Sequence, residues 1–122
     1  MMKTDIRSLA SRAQQVRRDA LRMIHAAKSG HPGGAISAAD YLVALYFHKL
    51  HTSDAFTMEG SGDDLFFLSN GHISAAWYSV LAHFYNERAP KKYFKDLTIL
   101  QSFRRYDSPL QGHPTPAEHF PG

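Results

Sequence analysis

Three of the eight histidines in this sequence stand directly after a glycine, in "GHP" at residues 30–32, "GH" at 71–72 and "GHP" at 112–114. Neutral imidazole donates one hydrogen bond and accepts another, whereas imidazolium binds anions. A neighbouring glycine lets the backbone and the ring approach a ligand closely. If the three rings meet in space, they would suit a substrate that carries hydroxyl groups or a phosphate.

The three histidines are evenly spaced, since 41 positions separate His31 from His72 and 41 separate His72 from His113. Even spacing can indicate an internal repeat, but one histidine follows a predicted helix, one a predicted strand and one a proline-containing coil. We therefore interpret the equality as coincidence. Three histidines could also ligate zinc, although no two are four residues apart on one helix. The remaining histidines are interpreted as ordinary surface or core residues: His25, His48, His51, His83 and His119.

The element before His31 is predicted to be a long helix. Apolar side chains recur at steps of three and four over residues 6–27, which places them on one stripe. Thr4 or Asp5 can cap its start, and Gly30 is placed to end it in a left-handed conformation. His31 therefore lies where this helix stops.

A second helix is predicted to begin at Ser37 and to run through about Leu50. Ser37 is followed three residues later by Asp40, as in a variant capping box. The string "YLVALYF" inside it is apolar on almost every side, which indicates a helix packed by neighbours all round.

The segment before His72 is predicted to be a strand. "LFFLS", at residues 65–69, is a short apolar run between turn signals, which is typical of a buried strand of a parallel sheet. The following "ISAAWYSVLAHFY" has the length and spacing of a helix. Pro90 can begin a further helix over about 91–103, with a break into two near Asp96 left open. Residues 106–122 are predicted to be extended because prolines interrupt them.

Composition and charge exclude several classes of protein. The chain has 122 residues, 43% of them hydrophobic and 20% charged, as expected for one globular domain or part of one. Its formal net charge of +3 is spread along the chain, which gives little support for a nucleic-acid partner. The sequence contains no cysteine, no apolar signal segment and no membrane-spanning run. A cytoplasmic protein that binds neither nucleic acid nor membrane is therefore expected.

Three blocks of the sequence together resemble the start of the transketolases. They are "SGHPGGAISAADYLVALYFHKL", "DDLFFLSNGHISAAWYSVLAHFY" and "LQGHPTPAEHFPG", in that order, and they cover nearly the whole chain. The first block is also similar to deoxyxylulose phosphate synthases, but "LSNGH" and "QGHPTP" are typical of transketolases. On this resemblance the chain is identified as the N-terminal, diphosphate-binding section of a transketolase.

The resemblance implies a fold and an activity. The parent fold would be three-layer α/β with a parallel sheet, and residues 1–122 would form the N-terminal part of its thiamine-diphosphate-binding domain, mostly helical with one strand. The parent enzyme would transfer a two-carbon ketol unit from a ketose phosphate to an aldose phosphate, as in the carbohydrate metabolism of the pentose phosphate pathway. Its cofactors would be thiamine diphosphate and Mg²⁺ or Ca²⁺.

The resemblance also implies roles for four residues. His31 would contact substrate hydroxyls and assist proton transfer, and His113 would hydrogen-bond the terminal hydroxyl of the donor, so both are candidate catalytic residues. His72 would touch the cofactor diphosphate, and Gly34 falls where the family brings backbone or a small side chain near the cofactor. No residue is assigned to the metal, because the family's Gly-Asp-Gly motif does not occur in this sequence.

The sequence is therefore expected to be a fragment of a longer transketolase chain, and to be inactive alone. The expected partners are sugar phosphates, the remaining transketolase segments or a C-terminal subunit, and a further copy in a homo-oligomer. The alternative is a non-catalytic helical module. Such a module would assemble with those segments, or with itself, through apolar faces such as "YLVALYF" and "LFFLS".

Overall fold

Helices form the regular structure of the computed structural model, which describes residues 5–52, 64–88, 96–115, 118 and 120. The three α-helices are α1 (Ile6–Ala27), α2 (Pro32–Ala44) and α3 (Ser74–Arg88). A π-helical turn, Leu45–Lys49, continues α2, and 3₁₀ turns cover Gly71–Ile73 and Leu97–Ser102. No helix in these described ranges is both long enough and apolar enough to cross a membrane.

The central helix of the fold is α3. All but one of its residues from Ser74 to Tyr85 are buried, so it has no solvent-facing side over that length. Both α1 and α2 pack against it. The sequence predicted all-round packing for "YLVALYF" instead, but Tyr41 at its start is 49% exposed. That prediction was wrong because α2 contacts the core along one side only, through residues such as Leu42 and Val43.

The first helix agrees with the prediction at its start and differs at its end. The Asp5 side chain accepts a hydrogen bond from the Ser8 N–H at 2.7 Å, which is the expected N-terminal cap. At the other end Lys28 is already the C-cap in the left-handed conformation, with φ of 52°, and Gly30 follows two residues later with φ of 135°. The predicted cap at Gly30 was wrong because the Lys28 N–H already closes the helix on the carbonyls of Ile24 and His25.

The second helix begins five residues earlier than predicted, at Pro32. Proline is well suited to the first helical position, because its fixed φ matches the helix and it has no N–H to leave unpaired. The predicted capping box was wrong: the Ser37 hydroxyl donates to the Gly33 carbonyl inside the helix, and Asp40 accepts from Arg17. His31 consequently stands at the N-cap position of α2.

The predicted strand at residues 65–69 is not present, and the described ranges contain no strand at all. A strand is stabilised by hydrogen bonds to a neighbouring strand, and no neighbour is available to it in these ranges. Phe66 packs against Tyr46 and Trp77, whereas Phe67 is 59% exposed. The mostly helical character predicted for residues 1–122 is confirmed over the described ranges. The parallel sheet of the parent fold stays a prediction.

The last part of the chain differs partly from the prediction. Pro90 and the rest of 89–95 lie outside the described residues. Where the second half of a helix over 91–103 was predicted, the structure has a 3₁₀ helix, Leu97–Ser102. The Asp96 side chain caps its start by accepting a hydrogen bond from the Thr98 N–H at 2.8 Å. Residues 106–115 contain neither helix nor strand, as the prolines predicted.

Asp19 connects α1 to α3 through hydrogen bonds. One carboxylate oxygen accepts from Ser79 Oγ at 2.9 Å and lies 2.6 Å from His83 Nε2, and the other accepts from Gln15 at 2.8 Å. Burial raises the pKa of the Asp19 carboxyl, but the hydrogen bonds from His83, Gln15 and Ser79 outweigh burial and leave that pKa below its ordinary value. His83 therefore joins two helices, which its sequence position did not indicate.

Replacing Asp19 with asparagine is expected to lower the free energy of unfolding by about 1–3 kcal/mol at pH 7. One of its two acceptor oxygens becomes an NH2 group, so that either Ser79 or Gln15 loses its acceptor. The lowered folded pKa also sets a pH dependence. The contribution of Asp19 is present above the unfolded pKa of about 3.9 and is lost as the pH falls through the folded value. Urea denaturation followed by circular dichroism between pH 7 and pH 2 would measure both effects.

Asp40→Asn is the matched control for that experiment. The Asp40 side chain is 69% exposed, so its ion pair with Arg17 is expected to contribute less than about 1 kcal/mol. Equal losses in the two variants, or an acid dependence of stability that is the same with and without Asp19→Asn, would contradict the role assigned to Asp19.

Candidate functional site

The three glycine-flanked histidines meet at one surface, and we call His31, His72 and His113 the histidine cluster. His72 lies in the middle, with its ring centroid 4.3 Å from that of His31 and 5.6 Å from that of His113. The His31 ring is tilted by 35° to the His72 ring, and the His113 ring meets it edge-on at 78°. All three residues are exposed, so a ligand can reach their ring nitrogens.

Two helix N-termini converge on the histidine cluster. His31 occupies the N-cap position of α2, and His72 lies in the 3₁₀ turn Gly71–Ile73 that leads into α3. The His31 side chain makes no capping hydrogen bond, which leaves its ring available to a ligand. Because free N–H groups and the helix dipole both favour negative charge at an N-terminus, this surface suits an anion better than a cation.

The buried helix α3 holds the His113 segment in place. Ser74 Oγ donates to the Gly112 carbonyl at 2.6 Å, and the Tyr78 hydroxyl donates to the Gln111 carbonyl at 2.7 Å. Burial raises the pKa of the Tyr78 hydroxyl well above its ordinary value, so the group remains a donor. Sequence analysis missed both residues, although a hydroxyl in an otherwise apolar buried helix indicates a partner.

Glycine is required at two positions beside the histidine cluster. A Cβ atom at Gly71 would lie 2.6 Å from Nδ1 of His113, and one at Gly34 would lie 2.8 Å from Cγ2 of Ile73. Real Cβ atoms do not approach other atoms this closely. Gly71 thus lets the His113 ring reach His72, and Gly34 lets α2 pack against the turn that carries His72.

The two glycines of the first turn of α2 are expected to respond oppositely to alanine. Gly34→Ala is expected to lower the free energy of unfolding by about 1–3 kcal/mol, because the added methyl overlaps Ile73. Gly33→Ala is expected to raise it by about 0.5 kcal/mol, because a Cβ there meets nothing within 4 Å and alanine has less freedom in the unfolded chain. Urea midpoints of the two variants test this; a change of the same sign in both would contradict it.

The donor groups of the histidine cluster fit a phosphate or a hydroxyl-bearing ligand. Imidazole N–H groups and helix N-termini bind phosphate oxygens. A hard divalent cation fits less well, because Mg²⁺ and Ca²⁺ prefer oxygen ligands. Within the part of the chain that the structure describes, no three histidine, aspartate or glutamate side chains are arranged to hold a metal ion. The zinc alternative therefore gains no support from the cluster.

The other five histidines do not add to this surface as far as the structure describes them. Three of them are exposed without a ring contact to the cluster: His25, His48 and His51. His83 is paired with Asp19, and His119 lies outside the described residues. The predicted separation of three histidines from the remaining five is thus consistent with the geometry.

Comparison with known proteins gives one family and several relatives. The family model described as "Transketolase, thiamine diphosphate binding domain" matches residues 9–122. A transketolase of Mus musculus is 30% identical over 115 residues, which cover 94% of this chain and 17% of that protein. A transketolase of Streptococcus pyogenes is 35% identical over 99 residues, covering 81% of this chain and 13% of that protein.

A shorter relative is one of the subunits of the apulose-4-phosphate transketolase of Phocaeicola vulgatus. It is 28% identical over 110 residues, which cover 90% of this chain and 36% of that relative. The chain therefore spans about a sixth of the length of the mouse protein and about a third of the Phocaeicola vulgatus protein. The histidine cluster lies entirely within the residues that the family model matches.

Proposed function

Since this chain belongs to the transketolase family of thiamine-diphosphate-binding domains, we propose that it forms the N-terminal part of such a domain in an enzyme that transfers a two-carbon ketol unit from a ketose phosphate to an aldose phosphate. The observation that supports this most is the meeting of three glycine-flanked histidine rings at two helix N-termini. That arrangement offers hydrogen-bond donors to a diphosphate and to sugar hydroxyls at the same surface.

In this proposal His72 binds the cofactor diphosphate, because it occupies the middle of the histidine cluster and the turn that leads into α3. His31 and His113 flank it and contact the sugar. An imidazole ring has one donor and one acceptor nitrogen, so His31 can hold or release a proton at a substrate hydroxyl. Gly34 keeps α2 close to the turn that carries His72. Thiamine diphosphate, when bound, supplies the carbanion chemistry that carbon–carbon bond cleavage requires.

The metal and the partners belong to the same proposal. The Mg²⁺ or Ca²⁺ that would accompany the diphosphate takes its ligands from segments other than the described residues. Those segments, on the same chain or on a companion subunit, also cover the exposed Phe67 and complete the cofactor site. The complete enzyme is a homo-oligomer that acts on sugar phosphates.

Ketol transfer by a segment-swapped enzyme tests this function. The 99 residues of this chain that match the Streptococcus pyogenes transketolase would replace their counterparts in that enzyme. Transfer from a ketose phosphate to an aldose phosphate would then be measured. The swapped enzyme is expected to be active, and His31→Ala is expected to lower its kcat by about 10²–10⁴-fold, the range for loss of a general acid or base. His25→Ala, at an exposed position of α1, is the control and is expected to leave kcat within twofold. A swapped enzyme that folds but is inactive, or an active one that is indifferent to His31→Ala, would contradict the proposal.

The 122-residue chain alone is expected to be inactive. Three imidazoles without the metal and the other cofactor-binding segments do not hold the reactants in a fixed relative geometry, and that geometry supplies much of the rate. Turnover of sugar phosphates by this chain, with thiamine diphosphate and Mg²⁺ present, would be compared with the turnover of its His72→Ala variant. A rate above that variant would contradict the expectation.

A non-catalytic assembly module is the second candidate function, and exposed aromatic side chains favour it. Phe67 is 59% exposed and Tyr106 is fully exposed. Light scattering separates the candidates: concentration-dependent self-association of the chain, combined with an inactive segment-swapped enzyme, would favour the module.

A further inference from the structure

A second charged surface lies apart from the histidine cluster. It is an open recess of about 550 Å³ between the end of α1 and the segment that follows Leu97–Ser102. Three of its lining residues are cationic, Lys28, Arg104 and Arg105, and none of the three cluster histidines lines it. Its volume falls within the range of about 300–1,000 Å³ that is usual for small-molecule sites.

The three cations have no acidic partner within the described ranges. The ion pairs found there join other residues: Arg12 to Glu87, Arg17 to Asp40 and His83 to Asp19. The recess itself is lined by no aspartate or glutamate. Like charges that share one recess repel one another unless an anion lies between them. The charge distribution therefore favours an anionic ligand.

Hydrogen bonds within their own segment hold the backbone of the two arginines in place. The Arg104 N–H donates to the Leu110 carbonyl at 2.7 Å, and the Gln111 side chain donates to the Arg105 carbonyl at 3.0 Å. The Arg104 guanidinium lies directly against Gly112, where a Cβ atom would be 2.9 Å from its Cζ. The backbone of both arginines is therefore fixed before an anion binds, which lowers the conformational cost of binding.

Two of the residues that line the recess have an uncommon backbone conformation. Among the described residues, the non-glycine positions with positive φ are Lys28, at 52°, and Arg104, at 62°. This region is unfavourable for a residue with a Cβ atom, and glycine is the usual choice where a helix ends as α1 does at Lys28. Non-glycine residues in such conformations cluster at ligand sites. Here both of them bring a positive charge to the same recess.

We propose that Lys28, Arg104 and Arg105 bind the phosphate group of a small phosphate ester in this recess, at a site separate from the histidine cluster. Guanidinium groups match phosphate oxygens in pairs, and the ammonium group adds a further charge. The recess is larger than a phosphate ion needs, which leaves room for the organic part of the ester. Cations near the C-terminus of α1 also offset its dipole, and the variants below separate that structural role from binding.

Isothermal titration of the 122-residue chain at low ionic strength, with glycerol 1-phosphate and with inorganic phosphate, tests the proposal. Saturable binding at one site is expected for both, each in competition with the other. The double variant Arg104→Ala, Arg105→Ala is expected to weaken both at least tenfold. Lys28→Gly is expected to weaken binding severalfold without lowering the thermal midpoint, because glycine adopts the left-handed conformation freely. Lost binding in this variant then reflects the lost charge, not a lost fold.

Two control variants make the result specific. Arg7→Ala removes the same charge from an exposed position in the first turn of α1 and is expected to leave both affinities within twofold. His72→Ala removes the central ring of the histidine cluster and therefore reports any phosphate that binds at that cluster instead. Three results would overturn the proposal: no saturable binding of glycerol 1-phosphate, an equal loss in Arg7→Ala, or a loss confined to His72→Ala. The last of these would place the anion at the histidine cluster and would leave the proposed ketol transfer untouched.

Discussion

Replacing Trp77 with alanine is expected to lower the free energy of unfolding by about 3–5 kcal/mol, the usual range for a large aromatic residue removed from a core. Trp77 has no solvent exposure and lies on α3, the helix that every other part of the core contacts. Its ring packs 6.0 Å from Phe66 and 5.6 Å from Phe120, measured between centroids. Since small domains have a total stability of about 5–15 kcal/mol, this loss would leave much of the chain unfolded at moderate urea concentrations.

Tyr46→Phe separates the hydrogen bond of Trp77 from its packing. The indole N–H donates to the Tyr46 hydroxyl at 3.0 Å, and both groups are buried. Removing only that hydroxyl is expected to lower the stability by about 1–3 kcal/mol, because a buried donor is left unpaired. Circular dichroism must follow the unfolding, since Trp77 is the only tryptophan available for fluorescence. Similar losses in the two variants would mean that the hydrogen bond, and not the ring packing, dominates.

Replacing Gly71 with alanine is expected to reduce ketol transfer by the segment-swapped enzyme about 100-fold, the effect of misplacing a reacting group by about 1 Å. The new methyl would lie 2.6–2.9 Å from three atoms of the His113 ring, so the ring must move away from His72. The ring of an exposed residue moves easily, and we therefore expect a stability loss below about 1.5 kcal/mol. Activity and urea denaturation of the same variant measure the two quantities.

Gly33→Ala is the control for Gly71→Ala, because it adds the same methyl near His31 where nothing lies within 4 Å. Activity within twofold of the unsubstituted enzyme is expected. The double variant Gly71→Ala, His113→Ala should be no less active than His113→Ala alone, because the clash acts only through that ring. Full activity of Gly71→Ala would mean that the position of His113 next to His72 has no catalytic importance.

Local signals were sufficient for several features of this chain. The long periodic stripe predicted α1, and the capping preference of aspartate predicted the contact from Asp5. Glycine next to each of three histidines, at predicted element ends, led to the expectation that His31, His72 and His113 could come together. The structure places the His72 ring 4.3 Å from the His31 ring and 5.6 Å from the His113 ring, measured between centroids.

Other features depend on neighbours that the sequence does not identify. "LFFLS" is as apolar as a strand, but pairing decides whether a strand forms, and the described ranges supply no partner. The start of α2 was predicted wrongly because the sequence contains two signals for a helix start. One is the spacing of Ser37 and Asp40, and the other is Pro32, where the helix begins. Asp19 and His83 are 64 residues apart, so only the packing of α1 on α3 reveals their contact.

The most direct test of the histidine cluster as part of a cofactor site is isothermal titration with thiamine diphosphate and Mg²⁺. The titrated proteins would be the 122-residue chain alone, the segment-swapped enzyme and the His72→Ala variant of that enzyme. Binding is expected in the segment-swapped enzyme only, and His72→Ala is expected to weaken it at least tenfold. Tight binding to the chain alone, or undiminished affinity after His72→Ala, would contradict the assignment of this surface to the cofactor diphosphate.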